Sequence, residues 1–210
     1  MAQMSMNKVI HGAIRRDLDR FVGALTTFRA GDSARAGQLA LAWANFDRQL
    51  TDHHEGEHDI AWPALESVGV TRETIAEMDT EHHTMATALA QARTAMGALA
   101  STAGQGEAEA ALSAMMRLRD VSIEHLDHEE REIEPVYLAN ADGREMKEMG
   151  KKFARTGPLT AGVFFSWVLD GATSEEEQAL RASVPGPVLK VLTTLFGRGY
   201  RKNVAPVWSS

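Results

Sequence analysis

The sequence HHEGE at residues 53–57 returns in pattern as HLDHE at residues 125–129. Each stretch begins with a His and ends with a Glu four residues later, and a Pro follows six residues after each Glu, at Pro63 and Pro135. On a helix, residues four apart lie one above the other on the same face. Each stretch therefore presents an imidazole nitrogen beside a carboxylate oxygen, a pair of ligands that transition metals accept.

The chain around these stretches favours helix throughout, because it is rich in Ala, Leu, Met, Glu, Gln and Arg. Apolar residues recur at alternating steps of three and four, the spacing of a helix with one buried face. Breaks at residues 31–33, 68–71 and 101–106 separate four such segments, and Thr71 is a suitable N-cap for the third. We therefore expect an all-α, up-down-up-down four-helix bundle.

The buried faces of these helices also carry polar residues. On the first helix His11 lies three residues before Ile14, and on the third helix His82 lies between Met78 and Met85. The buried faces of the second and fourth helices each continue to a His and a Glu, which are His53 and Glu57, and His125 and Glu129. Glu is almost never fully buried unless it is paired or binds a metal. These polar groups inside one bundle therefore predict a metal centre.

The order of these residues repeats along the chain. A helix with one inward His is followed by a helix with an inward His and Glu, and the pair recurs about seventy residues later. Two metal ions bridged by carboxylates suit this symmetry better than a single ion does. We expect His11 and His53 to bind one ion, His82 and His125 to bind the other, and Glu57 and Glu129 to bridge them.

This ligand set suits iron better than manganese or zinc, because it combines four neutral imidazoles with two carboxylates. We therefore expect two iron ions as the cofactor. Octahedral iron with four protein ligands would keep positions for an oxo or hydroxo bridge and for a small ligand such as dioxygen, peroxide or nitric oxide.

Other residues near the predicted site offer alternative ligands or supporting contacts. His54 and His58 also lie four apart, but about 100° round the helix from the buried face. His128 is adjacent to Glu129 and in a position to orient it, as outer-sphere partners do. We interpret Met78 as a packing residue and Tyr137 as a core aromatic near the site.

Two further alternatives bear on the class of site. Gly56, which is costly inside a helix, marks either a local bulge or close packing near the metal. A ferritin-like carboxylate site needs Glu-x-x-His on two helices and a lone Glu on the other two. Residues 55–58 supply one such motif, but the fourth helix has none, so we reject that class.

At these residues the chain resembles the hemerythrin family, specifically the bacterial hemerythrin-like proteins with HHE cation-binding domains. The resemblance covers about residues 7–140. It rests on His11, on residues 53–57 before Trp62-Pro63, on Glu81-His82, and on residues 125–129 before Pro135. It implies a four-helix bundle that binds metal cations.

Two departures separate this chain from the oxygen carriers of that family. Those proteins place a second His one turn before the third-helix ligand, where this chain has Met78. They also use a His and an Asp five apart on the last helix, where this chain has His125 and Glu129 four apart. The resemblance therefore does not by itself imply reversible oxygen transport.

Two functional classes fit such a site. The first is a non-haem di-iron protein that binds or senses dioxygen, peroxide or nitric oxide without turnover. The second is a di-iron oxidoreductase that decomposes hydrogen peroxide, for which metal catalysis needs open positions, and the missing His at Met78 supplies one. A structural zinc bundle is the third interpretation.

Composition excludes several other chemistries. The chain has no cysteine, which rules out disulfides, zinc–thiolate sites, iron–sulfur clusters and thiol catalysis. The formal charge of −7 argues against a nucleic-acid-binding surface. Residues 1–8 contain no apolar stretch typical of a signal peptide, and no run approaches a membrane span. We expect a cytoplasmic protein that binds no nucleic acid and spans no membrane.

The pattern changes after residue 140. We assign residues 1–140 to the HHE four-helix bundle and residues 141–210 to a C-terminal extension of short amphipathic helices that packs on it. Ser174 and Glu177 have capping-box spacing at the start of one of these helices. The alternative role for the extension is a homodimer interface or a membrane-surface contact, because apolar and basic residues together suit both.

Overall fold

The computed structural model describes residues 4–209, so residues 1–3 of the predicted bundle domain and residue 210 of the predicted extension lie outside it. Helices make up the first two thirds of the described chain. They are α1 (Met6–Thr26), α2 (Ser33–Gly56), α3 (Trp62–Ser67), α4 (Arg72–Thr102), α5 (Gln105–Glu132) and α6 (Glu134–Asn140). Four of them, α1, α2, α4 and α5, are long, which confirms the predicted bundle.

The four long helices close a ring around one apolar core. In this ring α5 packs between α1 and α4, and α2 packs against α4 and α1. The buried side chains at the centre come from all four helices and include Leu18, Phe21, Phe46, Met96 and Met115. Burying one such side chain contributes about 1.5–3 kcal/mol to stability. The periodic apolar face predicted from the sequence is therefore what joins the helices.

Local sequence signals fix where the long helices begin. Ser5, Asp32 and Thr71 cap α1, α2 and α4, and each side chain accepts a hydrogen bond from the backbone N–H three residues ahead. The N-cap prediction for Thr71 is thus confirmed. The predicted loop at residues 101–106 is wrong in length, because only Ala103 and Gly104 separate α4 from α5.

A turn of π-helix, Glu57–Ala61, connects α2 to α3. Pro63 follows it, and proline has no N–H to donate and crowds the carbonyl four residues before it. The wider turn accommodates this proline without interrupting the helical backbone between α2 and α3. In it the N–H of Trp62 bonds to the carbonyl of Glu57. Such turns occur often at functional sites, and here the turn begins at one of the predicted metal ligands.

Short helices form the C-terminal extension. They are α7 (Arg144–Phe153), α8 (Pro158–Leu169), α9 (Ser174–Ser183), α10 (Gly186–Val191) with a π turn at Leu192–Phe196, α11 (Arg198–Asn203) and a 3₁₀ turn at Ala205–Trp208. The capping box at α9 pairs Thr173 with Glu176, so the prediction of Ser174 and Glu177 was wrong by one residue. Within the described residues, none of the helices is long and apolar enough to cross a membrane.

The extension contributes side chains to the main core. Trp167, Leu180 and Tyr200 are almost fully buried and belong to the same apolar cluster as α1 and α2. The indole Nε1 of Trp167 donates a 2.8 Å hydrogen bond to Asp17, a buried carboxylate on α1. Arg16 and Arg20 also pair with Asp17, at 2.9 and 3.2 Å. This network joins α8 to the bundle.

Candidate metal centre

The predicted metal-binding residues lie at one end of the bundle, in the early turns of α1 and α4 and the last turns of α2 and α5. Their ligand atoms form two groups, and within each group the atoms lie within 4.8 Å of one another. The first group is His11, His53, Glu57 and Glu129, and the second is His54, Glu57, His82 and His125. Glu57 belongs to both groups, so one carboxylate links the two candidate pockets.

The two oxygens of Glu57 face different imidazoles. Its Oε1 lies 3.2 Å from Nε2 of His53, and its Oε2 lies 3.4 Å from Nε2 of His82. The Nε2 atoms of His82 and His125 are 3.0 Å apart. The Nε2 atom of each of these rings therefore points into the space that the two groups enclose.

Several of these inward atoms have no hydrogen-bond partner although they are buried. They are His53 Nε2, His54 Nε2, Glu57 Oε1, Glu57 Oε2 and Glu129 Oε2. Buried polar atoms are nearly always hydrogen-bonded, and an unpaired buried carboxylate is especially costly. Cations would satisfy all five atoms at once. The donor set of imidazole nitrogens and carboxylate oxygens therefore fits transition-metal ions.

The imidazoles are poised in their neutral form. Burial, the largest cause, and the neighbouring imidazoles lower the pKa of His53 and of His54 well below the ordinary value. Burial and the nearby His125 lower the pKa of His82 to about 4, and burial also lowers the pKa of His125. Because neutral imidazole is the form that binds metals, these four side chains are ready to act as ligands at neutral pH.

The two carboxylates differ in the direction of their pKa shifts. Burial and the charge of Glu129 raise the pKa of Glu57 well above the ordinary value. Burial also opposes ionisation of Glu129, but His11 outweighs it and lowers the pKa of Glu129 to about 2. Although burial works against the charged form of His11, Glu129 raises the pKa of His11. Without metal, the centre therefore favours protons on Glu57 and His11, and a cation displaces them.

Carboxylates outside the centre hold one imidazole in each pocket. Nδ1 of His11 lies 3.1 Å from Oε1 of Glu130. Arg15 donates a 2.5 Å hydrogen bond from Nη1 to the same oxygen and so holds the carboxylate in place. Nδ1 of His125 lies 2.8 Å from Glu81. A carboxylate that accepts from Nδ1 leaves Nε2 free to bind metal and fixes the ring orientation. Sequence reasoning missed Glu81 and Glu130, since no pattern within one helix shows which neighbouring helix a surface Glu will reach.

The structure places the four residues considered as alternative ligands or supporting contacts in different surroundings. His54 joins the second group, and its ring centroid lies 4.3 Å from that of His82. His58 points outward, with its side chain 67% exposed and 3.5 Å from Asp79. Met78 is fully buried in an apolar cluster. His128 is partly buried, and its Nδ1 lies 2.6 Å from Glu81 on α4.

Two aromatic side chains border the centre. The indole of Trp62 stacks on the ring of His82 with centroids 5.8 Å apart and an interplanar angle of 18°. Its Nε1 donates a 3.0 Å hydrogen bond to Asp79, which fixes the indole in place. Tyr137 is buried close to the carboxylates, and burial together with the charges of Glu129 and Glu57 raises its pKa well above the ordinary value.

The fold and the centre together define a helical-bundle protein with a built site for metal cations. The chain belongs to the hemerythrin HHE cation-binding domain family, whose model matches residues 7–137. That range contains all the residues of both ligand groups and stops before the C-terminal extension. The comparisons with curated proteins and with solved structures gave no significant match.

Proposed function

We propose that the protein is a non-haem di-iron protein that binds or reacts with a small ligand, namely dioxygen, hydrogen peroxide or nitric oxide. The observation that supports this most strongly is the environment of Glu57. This carboxylate is 2% exposed, both of its oxygens lack a hydrogen-bond partner, and each faces an imidazole of a different group. Two cations that share Glu57 would account for this arrangement, because its two oxygens face imidazoles of different ligand groups.

Each proposed ion has four protein ligands. His11, His53 and Glu129 would hold the first ion, His54, His82 and His125 would hold the second, and Glu57 would bind both. Bound iron would supply redox chemistry and coordination positions open to an external ligand. The protein's own contribution is to keep the imidazoles neutral, to orient His11 and His125, and to enclose the centre with Trp62 and Tyr137.

Peroxide decomposition, in which two hydrogen peroxide molecules yield two water molecules and dioxygen, is the second candidate. The position of Tyr137 favours it. The phenol is buried beside the carboxylates of Glu57 and Glu129, and its burial and their charges raise its pKa. Its O–H is a hydrogen-bond donor for a ligand bound between those carboxylates.

Metal stoichiometry tests the proposal directly. Wild-type protein loaded with Fe²⁺ without oxygen should retain two iron ions per chain, and Glu57→Gln should lose at least one. Glu55→Gln is the matched control, because Glu55 lies two residues away on the exposed side of α2 and should leave two ions bound. A wild-type chain that holds no iron, or only zinc, would contradict the proposal.

The same iron-loaded protein separates the two candidate functions. Hydrogen peroxide is added and the release of dioxygen is followed with an oxygen electrode, while the visible spectrum is recorded in parallel. Sustained oxygen release identifies an oxidoreductase. A stable coloured adduct without oxygen release identifies a ligand-binding or sensing protein.

A further inference from the structure

The last helices of the C-terminal extension expose a row of apolar side chains. Val188, Val191 and Leu195, on α10 and its π turn, recur at steps of three and four, and we call them the apolar stripe. With Leu159, at the start of α8, they are between 48 and 68% exposed. Such a concentration of exposed apolar side chains marks an interaction surface.

The other side of the same helical segment packs against the protein. Leu189 and Tyr200 are buried in the main core, and the hydroxyl of Tyr200 donates a 2.8 Å hydrogen bond to Asp170. The segment also packs closely on α8, since a Cβ atom at Gly162 would come within 2.7 Å of the carbonyl oxygen of Leu192. The segment is therefore apolar on both sides, and its inner side is held in place by the core.

Basic residues adjoin the apolar stripe. From Leu195 the same steps of three and four lead to Arg198 and Lys202, which are exposed, and Lys190 is a third exposed cation on α10. Residues 178–210 contain five Lys or Arg and no Asp or Glu, although the formal charge of the whole chain is −7. The acidic bundle thus carries a basic and apolar surface at its C-terminal end.

We propose that this surface binds the face of an anionic lipid membrane. The apolar stripe would enter the boundary between head groups and acyl chains, while the Lys and Arg side chains extend to the lipid phosphates. None of the described helices can cross a membrane, so α10 and α11 lie along the surface. The inference concerns residues away from the metal centre and does not depend on the function proposed for it.

Charge favours a lipid surface over a second copy of the chain. A symmetric dimer through the apolar stripe would use the same patch on both subunits, which would bring the cations of one copy against those of the other. Anionic lipids instead attract each cation near the surface. The exposed apolar side chains are aliphatic, whereas binding of single-stranded nucleic acid uses aromatic side chains on which bases stack.

Co-sedimentation of the metal-loaded full chain with lipid vesicles tests the proposal without any substitution. One set of vesicles is phosphatidylcholine alone, and the other is equal parts phosphatidylcholine and phosphatidylglycerol. The wild type should bind the anionic vesicles and not the neutral ones, and added salt should weaken binding. Equal binding to both sets, or binding to neither, would overturn the proposal.

A charge variant and a matched control test the basic residues. The variant is Lys190→Gln/Arg198→Gln/Lys202→Gln, and the control is Arg29→Gln/Arg48→Gln/Arg117→Gln, which removes the same charge from exposed positions of the bundle. Each cation near an anionic surface contributes about fivefold to binding, so the variant should bind about 100-fold more weakly, and the control should stay close to the wild type. Equal losses in both would show that only the net charge matters. Arg201 is kept, because it donates to the carbonyls of Thr193 and Thr194.

Leu195→Ser tests the apolar stripe. It should weaken binding to the anionic vesicles about tenfold, because it removes apolar area that the membrane buries. Met116→Ser is the matched control, since Met116 is an exposed apolar residue on α5 and should bind as the wild type does. Light scattering tests the competing occupant. A wild-type dimer that Leu195→Ser dissociates, with no binding to vesicles, would assign the surface to contacts between copies and refute the proposal.

Discussion

Oε2 of Glu81 lies 2.8 Å from Nδ1 of His125, so a partly exposed carboxylate on α4 holds a fully buried imidazole on α5. The other oxygen of Glu81 lies 2.6 Å from Nδ1 of His128. Glu81 is thus fixed from two sides and in turn fixes the ring of His125. Because the tautomer of His125 decides whether Nε2 is free for metal, this contact affects the centre without touching it.

Replacing Glu81 with Gln should weaken metal binding in the second pocket. The neutral amide accepts the Nδ1 proton of His125 more weakly than a carboxylate does, and loss of such a partner usually lowers metal affinity about 10–100-fold. Isothermal titration calorimetry with Co²⁺ would measure the affinity of the second pocket. Glu77→Gln, one turn earlier and exposed, should bind as the wild type does, and equal affinities in both variants would contradict the role of Glu81.

Substitution of the two neighbouring His residues distinguishes their roles. His54→Ala should bind one metal ion per chain tightly and the second at least about tenfold more weakly, because it loses a ligand of the second group. His58→Ala removes an exposed side chain and should still bind two. Elemental analysis after dialysis measures both. Retention of two ions by His54→Ala would exclude His54 as a ligand.

Glu57→Gln should make the metal-free protein more stable at neutral pH while losing at least one bound metal ion. Burial raises the pKa of Glu57 in the folded state, so above the unfolded value the unfolded chain ionises first and folding loses stability. Gln does not titrate, so the variant avoids the cost of keeping Glu57 protonated, and its free energy of unfolding should be higher by at least about 1 kcal/mol. Urea unfolding in a chelator measures this. Glu55→Gln should leave stability unchanged, and a metal-free Glu57→Gln that is less stable than wild type would refute the argument.

The metal-free protein should lose stability in mild acid through His82. Its folded pKa of about 4 lies below the ordinary 6.5, so the unfolded chain takes up a proton first as the pH falls. The stability that depends on neutral His82 is fully present well above pH 6.5 and is lost as the pH falls towards 4. Between pH 6.5 and 5 wild type should therefore lose about 1.5 kcal/mol more than His82→Asn does. Parallel urea titrations at the two pH values test this, and equal losses would show that His82 is not buried in its neutral form.

The contact between Trp167 and Asp17 predicts how firmly the extension is attached. Trp167→Phe keeps an apolar ring but leaves the buried Asp17 without its indole donor, which should lower the free energy of unfolding by about 1–3 kcal/mol. Trp208→Phe is the matched control, since Trp208 also lies beneath an arginine but its indole nitrogen has no hydrogen-bond partner, so its loss of stability should be smaller. Thermal unfolding compares the two, and equal midpoints would show that the hydrogen bond does not hold the extension.

The spacing of apolar residues along each helix predicted the four-helix bundle. It also predicted at which end of the bundle the metal centre lies. Residues such as His11, His53 and His125 extend the apolar faces of their helices, and whatever continues a buried face must meet the other buried faces. The family predicted from the same residues is confirmed. The ligand sets remain a proposal, but the sequence was enough to bring their main members together.

His54 shows what the periodic argument could not predict. That argument assumes one buried direction per helix, whereas the end of α2 lies between two candidate pockets. His53 and His54, about 100° apart on the helix, therefore each face a different one. Glu81 and Glu130 were missed for another reason: each acts on a residue of a different helix, and interhelical contacts of surface residues depend on packing that no single helix encodes.

Gly56 immediately precedes Glu57 and lies under the ring of Phe153. A Cβ atom at position 56 would come within 2.8 Å of Cε1 of that ring, so the bare backbone of α2 is what lets α7 rest there. Positions 56 and 153 are thus coupled by packing, one inside the range matched by the family model and one beyond it. A side chain at position 56 would have to displace the exposed ring of Phe153, which would loosen the contact of α7 next to Glu57.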